Sequence, residues 1–184
     1  KFCENNWNYA EPGLLFWDTI ESQNLLEYDS DFSYAGTNPC AEEPLPAGGS
    51  CLLGSMNLSE YVCNSFTDTA DFDYESFKYD VGIAVRCLND VLDEGLPLHP
   101  LEEQRKSVRD WRQIGLGIMG FADCLIKLGI TYGSNEAYNF AENLSYILFC
   151  AAVKNSEELG YDLGSYPNFK QNEINSSSML ESAS

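Results

Sequence analysis

The chain has 184 residues, 44% of them hydrophobic and 13% aromatic, which is enough apolar material for a folded core and argues for a globular rather than a disordered protein. Ten basic residues against twenty-nine acidic ones give a net charge of −19, which disfavours binding to nucleic acids or anionic membranes. The sequence has no apolar run near the roughly 18 residues that cross a bilayer and no signal peptide, so we expect a soluble, cytoplasmic protein.

The first fifty residues are predicted to be mostly irregular. The segment from Lys1 to Tyr9 has the composition of the end of a helix. From Asp29 to Gly49, glycine, proline, asparagine and serine predominate, and Pro44 and Pro46 argue against a helix. We therefore predict a loop over residues 36–50.

A strand follows this loop. Residues 51–62, CLLGSMNLSEYV, have the apolar and β-forming composition of a strand. Gly54 lies near its middle, and a glycine inside a strand often marks the close approach of another backbone or a ligand.

Helical spacing of apolar residues predicts three helices within residues 74–160, followed by a polar tail over residues 161–184. The first ends at Gly95, the second runs from Ile114 to Leu128, and the third begins after the capping residue Ser134. The predicted apolar face of the first helix consists of Phe77, Val81, Ala84, Leu88 and Val91. Few strands and several amphipathic helices do not complete a sheet, so we predict an α/β chain that belongs to a larger structure.

Seven cysteines are spread along the chain without a C-x-x-C pair, which is not the pattern of a secreted disulfide framework. With one histidine, His99, in a predicted loop, no metal site is expected. Cys63 is interpreted as a structural thiol. The cysteines predicted to be buried in helices are Cys87, Cys124 and Cys150.

Reactive residue types are densest in the predicted loop, where Asn38, Cys40 and Glu42 alternate and Cys51 follows. A nucleophilic cysteine needs a base or a cation that favours its thiolate, and the neighbours here are acidic. A neutral thiol beside an amide and a carboxylate suits hydrogen-atom chemistry at a hydroxylated carbon instead. Taken singly, Asn38 and Glu42 could be turn residues and Cys51 a strand residue, and Glu43 is interpreted as structural or exposed.

The loop and strand, residues 36–62, resemble the active-site loop and following strand of ribonucleotide reductase large subunits. The similarity is greatest to the branch with adenosylcobalamin-dependent (class II) and some class I enzymes. Residues 112–132 and 11–18 resemble the following helix and the preceding segment of the same family. The resemblance implies a helix-rich part of a ten-stranded α/β barrel, with residues 1–184 forming one partial barrel domain.

Roles for four residues follow from this resemblance. Cys40 would become the thiyl radical that takes a hydrogen atom from the ribose 3′ carbon, and Glu42 would deprotonate the 3′ hydroxyl. Asn38 would hydrogen-bond a ribose hydroxyl. Cys51 would be one of two cysteines that supply the reducing electrons and end as a disulfide.

The resemblance also implies partners for ribonucleotide reduction, a step of deoxyribonucleotide synthesis. They are a ribonucleotide substrate, a thioredoxin-type reductant, the remaining large-subunit segments, and either adenosylcobalamin or a radical-generating small subunit. The second reducing cysteine is expected before residue 1 and the phosphate-binding loop after residue 184. The chain alone is therefore expected to be inactive.

Two other functions are compatible with this sequence. The first is a non-catalytic remnant or interaction module of the same fold. The second is a dinucleotide-binding oxidoreductase, because residues 115–120 fit the pattern G-x-G-x-x-G. That fingerprint requires a preceding apolar strand, and Arg109 to Gln113 does not have this character, so the glycines are predicted to allow close packing of a helix.

Overall fold

The computed structural model describes residues 1–24, 26–27 and 29–170 of the chain. Helices and short strands are mixed throughout this part, in agreement with the predicted α/β class. The chain divides into two compact units, Lys1–Ala47 and Gly48–Ser184. In the described ranges, no helix combines the length and the apolar character needed to cross a bilayer.

The first unit contains two short helices and a β-hairpin. Its elements are α1 (Phe2–Tyr9), α2 (Trp17–Ser22), β1 (Gly36–Thr37) and β2 (Pro44–Leu45). The two strands pair antiparallel, with Gly36 opposite Leu45 and Thr37 opposite Pro44. The predicted loop over residues 36–50 is therefore partly a hairpin. Proline argues against a helix but is tolerated in an edge strand, where its missing N–H breaks no ladder bond.

The second unit carries the longer elements. Its strands are β3 (Leu53–Asn57), β4 (Val62–Cys63), β5 (Asp71–Phe72) and β6 (Gly115–Met119). Its α-helices are α3 (Tyr74–Gly95), α4 (Glu102–Trp111), α5 (Phe121–Leu128) and α6 (Asn135–Leu163). Two 3-10 turns, Leu58–Tyr61 and Leu96–Leu98, follow β3 and α3. Helix α6 extends into the predicted polar tail, whose residues 171–184 lie outside the described part.

Strands β3 and β6 form a parallel pair, with Leu53 opposite Gly115 and Asn57 opposite Met119. Gly54, inside β3, lies against α3: a Cβ atom there would be 3.5 Å from the methyl groups of Leu88. This is ordinary van der Waals spacing to side chains, so within the described residues Gly54 does not mark the expected close approach of another backbone. The predicted strand over residues 51–62 is shorter than expected, because the chain tightens into a 3-10 turn at Leu58.

The predicted helix from Ile114 to Leu128 is wrong in its first half, where Gly115–Met119 is strand β6. Glycine is a poor helix former, and Gly115 and Gly117 both lie in this stretch. Pairing with β3 supplies the backbone hydrogen bonds that a helix would otherwise make. The helix, α5, begins only after Gly120.

The core of the second unit brings the strands and helices together. Its buried members are Met56, Leu58, Phe72, Phe77, Val81, Cys124 and Leu144. The apolar face predicted for α3 is mostly right, but Val91 is 53% exposed, while Val85 and Leu92 are buried. The reason is that the predicted alternation of four and three residues averages about 3.5 per turn, whereas a helix turns every ~3.6 residues. Over about four turns the buried stripe therefore moves one position ahead of the predicted one.

Capping side chains fix where the two long helices begin. The Asp73 carboxylate accepts hydrogen bonds from the Ser76 backbone N–H at 3.0 Å and from the Ser76 hydroxyl at 2.7 Å. These bonds lower the pKa of Asp73. At α6, the Ser134 hydroxyl accepts from the Ala137 N–H at 3.1 Å, which confirms Ser134 as the predicted cap.

A substitution at Gly120 tests how tightly the turn between β6 and α5 is packed. Its φ is +69°, and an added Cβ would overlap Asn57 Oδ1 and lie 3.5 Å from the Ser59 nitrogen. We expect Gly120→Ala to lower the free energy of unfolding by about 2–4 kcal/mol, from left-handed strain plus the overlap. Urea denaturation followed by circular dichroism measures this loss.

Gly129→Ala is the matched control, because Gly129 also has a positive φ, +75°, but nothing lies within 4 Å of its added Cβ. It should lose only the conformational part, about 1–2 kcal/mol. Equal losses in the two variants would contradict a specific contact between Gly120 and Asn57.

Candidate active site

The hairpin tip between β1 and β2 carries three of the four residues predicted for the site. The Asn38 backbone N–H donates to the Glu43 carbonyl at 3.1 Å, which closes a six-residue loop. Within it, the Ala41 N–H donates to the Asn38 carbonyl at 3.0 Å. Pro39 suits the second position of this turn because its ring fixes φ. Cys40 lies at the tip and outside any helix, in agreement with the prediction for this loop.

The side chains of Cys40 and Glu42 are both exposed on this loop. Lys1 is the one basic residue in the sequence of residues 1–47, so this unit carries little of the positive charge that favours thiolates. The loop therefore presents a thiol and a carboxylate two residues apart on one turn. This arrangement suits removal of a hydrogen atom and a proton from the same small molecule.

Asn38 is half-buried at the base of the loop. Its side-chain Oδ1 accepts a hydrogen bond from the Glu43 N–H at 3.0 Å. Glu43 is also half-buried, and its Oε2 atom is buried without a hydrogen-bond partner in the described part of the chain. Glu43 was expected to be structural or exposed, and its backbone does close the loop.

Cys51 belongs to the second unit, where it is exposed and lies two residues before β3. The structure thus gathers Asn38, Cys40 and Glu42 on one loop and places Cys51 at the start of the predicted strand region. Cys63 is also exposed, in β4.

The pattern G-x-G-x-x-G over residues 115–120 does not form a dinucleotide loop. Gly115 and Gly117 lie inside the β3–β6 ladder, and Gly120 alone makes the turn into α5. A phosphate-binding loop needs these glycines in the turn itself, where their N–H groups face the ligand. Contrary to the prediction, the stretch is a strand and a turn, yet the close packing expected of it holds at Gly120, which contacts Asn57.

A polar network at the carboxyl ends of β3 and β6 was not predicted from the sequence. Asn57 Oδ1 accepts from the Ser59 hydroxyl at 3.1 Å, and Lys127 Nζ donates to the Ser59 carbonyl at 2.6 Å. Lys127 lies on α5, so the network joins this helix to the end of β3. Asn57 and Gly120 come together only through the parallel pairing, which the pattern of either segment alone does not indicate.

Two of the three cysteines predicted to be buried are more accessible than expected. Cys124 is fully buried, whereas Cys150 is partly buried and Cys87 is exposed on α3. Cys87 lies beside Leu88, one position off the buried stripe, and a shift of one residue rotates a helical side chain by about 100°. Burial raises the pKa of Cys124 to about 11, and the neighbouring charge of Lys127 opposes this only in part.

Cys124 should therefore resist alkylation in the native chain. Raising the pKa from 9.0 to about 11 lowers the thiolate fraction near pH 8 about 100-fold, and burial also blocks the reagent. We expect iodoacetamide to modify Cys63 and Cys87 rapidly and Cys124 only after urea is added, as measured by peptide mass spectrometry. Rapid native labelling of Cys124 would contradict its place in the core.

Comparison with known proteins identifies the family. The family described as "Ribonucleotide reductase, barrel domain" matches residues 1–182. A "Vitamin B12-dependent ribonucleoside-diphosphate reductase" of Thermoplasma acidophilum is 40% identical over 161 residues, which cover 88% of this chain and 20% of that protein. The "Ribonucleoside-diphosphate reductase subunit alpha" of Chlamydia pneumoniae is 35% identical over 161 residues, covering 83% of this chain and 15% of that protein.

A solved structure shows the same fold. The present chain superposes on the alpha subunit of an Actinobacillus ureae class Id ribonucleotide reductase with a TM-score of 0.77 at 22% sequence identity. The match covers 94% of this chain and 33% of that one. The present chain spans only 15–20% of the length of the two curated relatives. Because this family matches the chain over nearly its whole length, the chain belongs to the barrel-domain family of ribonucleotide reductase large subunits.

Proposed function

We propose that the loop from Asn38 to Glu43 is the radical-bearing loop of a ribonucleotide reductase, and that this chain supplies it to the complete barrel. The observation that carries the proposal is the joint exposure of the Cys40 thiol and the Glu42 carboxylate on one closed turn. Family membership and the absence of a cation in residues 2–47 support radical rather than thiolate chemistry for Cys40.

The chemistry of the proposed site can be written from its side chains. A thiyl radical at Cys40 takes the hydrogen atom from the ribose 3′ carbon, and Glu42 accepts the proton of the 3′ hydroxyl. The 2′ hydroxyl leaves as water. Cys51 and a second cysteine from outside this chain supply two electrons and two protons and become a disulfide. The hydrogen atom then returns from Cys40 to the 3′ carbon and the proton returns from Glu42 to the 3′ oxygen. Glu42 is again a carboxylate, and Cys40 is again a radical.

The proposed substrate is a ribonucleoside diphosphate. The relatives from Thermoplasma acidophilum and Chlamydia pneumoniae are both named as ribonucleoside-diphosphate reductases, which supports this choice over a triphosphate. With a net charge of −19, the chain is a poor site for the diphosphate itself. We assign phosphate binding to the remaining barrel segments and regeneration of the dithiol to a thioredoxin-type reductant.

The described cavities do not fit adenosylcobalamin. One of about 390 Å³ is lined by Asp71, Asp73 and Glu75 together with Cys63, and another of about 340 Å³ by Asp18, Glu21 and Glu27 among others. Cavities of roughly 300–1,000 Å³ hold drug-sized ligands, and adenosylcobalamin is far larger, so neither cavity can enclose it. The radical source, whether adenosylcobalamin or a small subunit, is assigned to parts of the enzyme other than these cavities.

The test is a chimera in which this chain replaces the matching segment of the Thermoplasma acidophilum reductase. We expect the chimera, with adenosylcobalamin and a dithiol, to reduce ribonucleoside diphosphates, as measured by chromatography of the deoxyribonucleotide product. The isolated chain should give none, because positioning of the ribose by missing segments contributes on the order of 7 kcal/mol or more. A folded chimera without turnover would favour the alternative, a non-catalytic module of the same fold.

A further inference from the structure

The active-site loop is closed from one residue, Asn38. Its backbone N–H donates to the Glu43 carbonyl at 3.1 Å, and its side-chain Oδ1 accepts from the Glu43 N–H at 3.0 Å. The same two residues are therefore joined twice, once through the backbone and once through the amide side chain. Cys40 and Glu42 both lie inside the ring that these two bonds close.

The loop contains a strained residue that needs such restraint. Ala41, between Cys40 and Glu42, has a φ of +70°, in the left-handed region that a residue with a Cβ rarely adopts. Strained backbone of this kind persists only where surrounding contacts hold it. The Ala41 N–H donates to the Asn38 carbonyl at 3.0 Å, so Asn38 also restrains the strained residue directly.

The oxygen and the nitrogen of the Asn38 side-chain amide have different surroundings. Oδ1 bonds to the Glu43 N–H, whereas Nδ2 has no hydrogen-bond partner within the described residues 1–24, 26–27 and 29–47. An amide nitrogen donates hydrogen bonds and does not accept them. Toward a bound ribose, Asn38 can then offer a donor through Nδ2.

We propose that Asn38 is a positioning residue, whose Oδ1 clamps the loop and thereby fixes the Cys40 thiol relative to the Glu42 carboxylate. This inference rests on the proposed function for its catalytic consequence, while the clamp itself is a property of the loop. The second role of Asn38, donation to a ribose oxygen, uses the other atom of the amide. Substitutions that separate the two atoms can therefore separate the two roles.

Asn38→Asp and Asn38→Ala make this separation. Aspartate keeps the acceptor oxygen and removes the donor, whereas alanine removes both. Thr37→Val is the matched control, because it removes the 3.0 Å bond from the Thr37 hydroxyl to the Asn38 carbonyl and leaves the clamp in place. The Gly115 N–H, which donates to the Leu52 carbonyl at 2.8 Å, is an internal reference for the intact fold.

Amide hydrogen exchange of the full 184-residue chain, read by NMR at Glu43, measures the clamp. In Asn38→Ala we expect Glu43 to exchange about ten-fold faster than in the unsubstituted chain, since one protecting hydrogen bond is lost. Asn38→Asp and Thr37→Val should retain slow exchange, and Gly115 should not change in any variant. Unchanged exchange at Glu43 in Asn38→Ala, or equally fast exchange in Asn38→Asp, would overturn the clamp.

The catalytic consequence is measured in the Thermoplasma chimera. We expect kcat of Asn38→Ala to lie about ten-fold below that of Asn38→Asp, because only the aspartate variant keeps the second, side-chain bond that closes the loop. Equal kcat values for the two variants would overturn the positioning role. An inactive unsubstituted chimera whose Glu43 exchange behaves as expected would contradict the proposed function and leave the clamp supported.

Discussion

Cys40→Ser in the Thermoplasma chimera is expected to abolish ribonucleotide reduction, leaving no product above the assay background. An O–H bond is stronger than an S–H bond, so a serine hydroxyl cannot form the radical that removes the 3′ hydrogen. Because serine is nearly isosteric with cysteine and Cys40 is exposed, the loop should keep its shape. The measurement is deoxyribonucleotide formation with saturating substrate, adenosylcobalamin and dithiol.

Cys63→Ser is the matched control for this loss. Cys63 is also exposed but lies in β4 of the second unit, outside the proposed site. Its variant should keep the turnover of the unsubstituted chimera. If Cys40→Ser stayed active, the proposed radical residue would be the wrong cysteine, and loss of activity in both variants would indicate general damage to the fold.

Glu42→Gln tests the second half of the same chemistry. Glutamine keeps the size and polarity of the side chain but does not accept the proton of the 3′ hydroxyl. Loss of a positioned general base typically lowers the rate about 10²–10⁴-fold, so kcat should fall by this amount without vanishing. Activity within a factor of two of the unsubstituted chimera would show that Glu42 is a solvated turn residue.

Phe77→Ala should have the largest effect on stability, lowering the free energy of unfolding of the second unit by about 3–5 kcal/mol. Phe77 is fully buried on α3, and its ring lies 5.3 Å from that of Tyr61 and 5.6 Å from that of Phe72, both edge-to-face. Alanine would leave a cavity at the centre of this aromatic cluster. Since domains are typically stable by only about 5–15 kcal/mol, urea denaturation should show a much lower midpoint.

Tyr79→Ala, two residues along the same helix, separates core packing from helix propensity. Tyr79 is 72% exposed, so its removal should change the stability by no more than about 0.5 kcal/mol. A loss at Tyr79 as large as that at Phe77 would mean that the exposed face of α3 is covered in solution. A small loss at Phe77 would contradict its place in the core.

The sequence alone predicted the residues of the proposed site, the first residue of α6 and the last residue of α5. Cys40 lies at a loop tip because Asn38, Pro39 and the later prolines favour a turn over a helix. Ser134 caps α6, and Gly129 ends α5, because each meets a local geometric need of a helix end. Such features depend on a few neighbouring residues, so a single stretch of sequence carries the whole signal.

Tertiary structure alone decided the features whose hydrogen-bond partners lie far away in the sequence or need paired strands. Gly115–Met119 is a strand because β3, some sixty residues earlier, supplies its hydrogen bonds, although the apolar spacing around it fits a helix. The clamp from Asn38 to Glu43 likewise needs the paired strands β1 and β2 to bring the two ends of the loop together. A local sequence pattern indicates which secondary structures a segment can form. The segment that pairs with its backbone N–H and C=O groups then selects one of them.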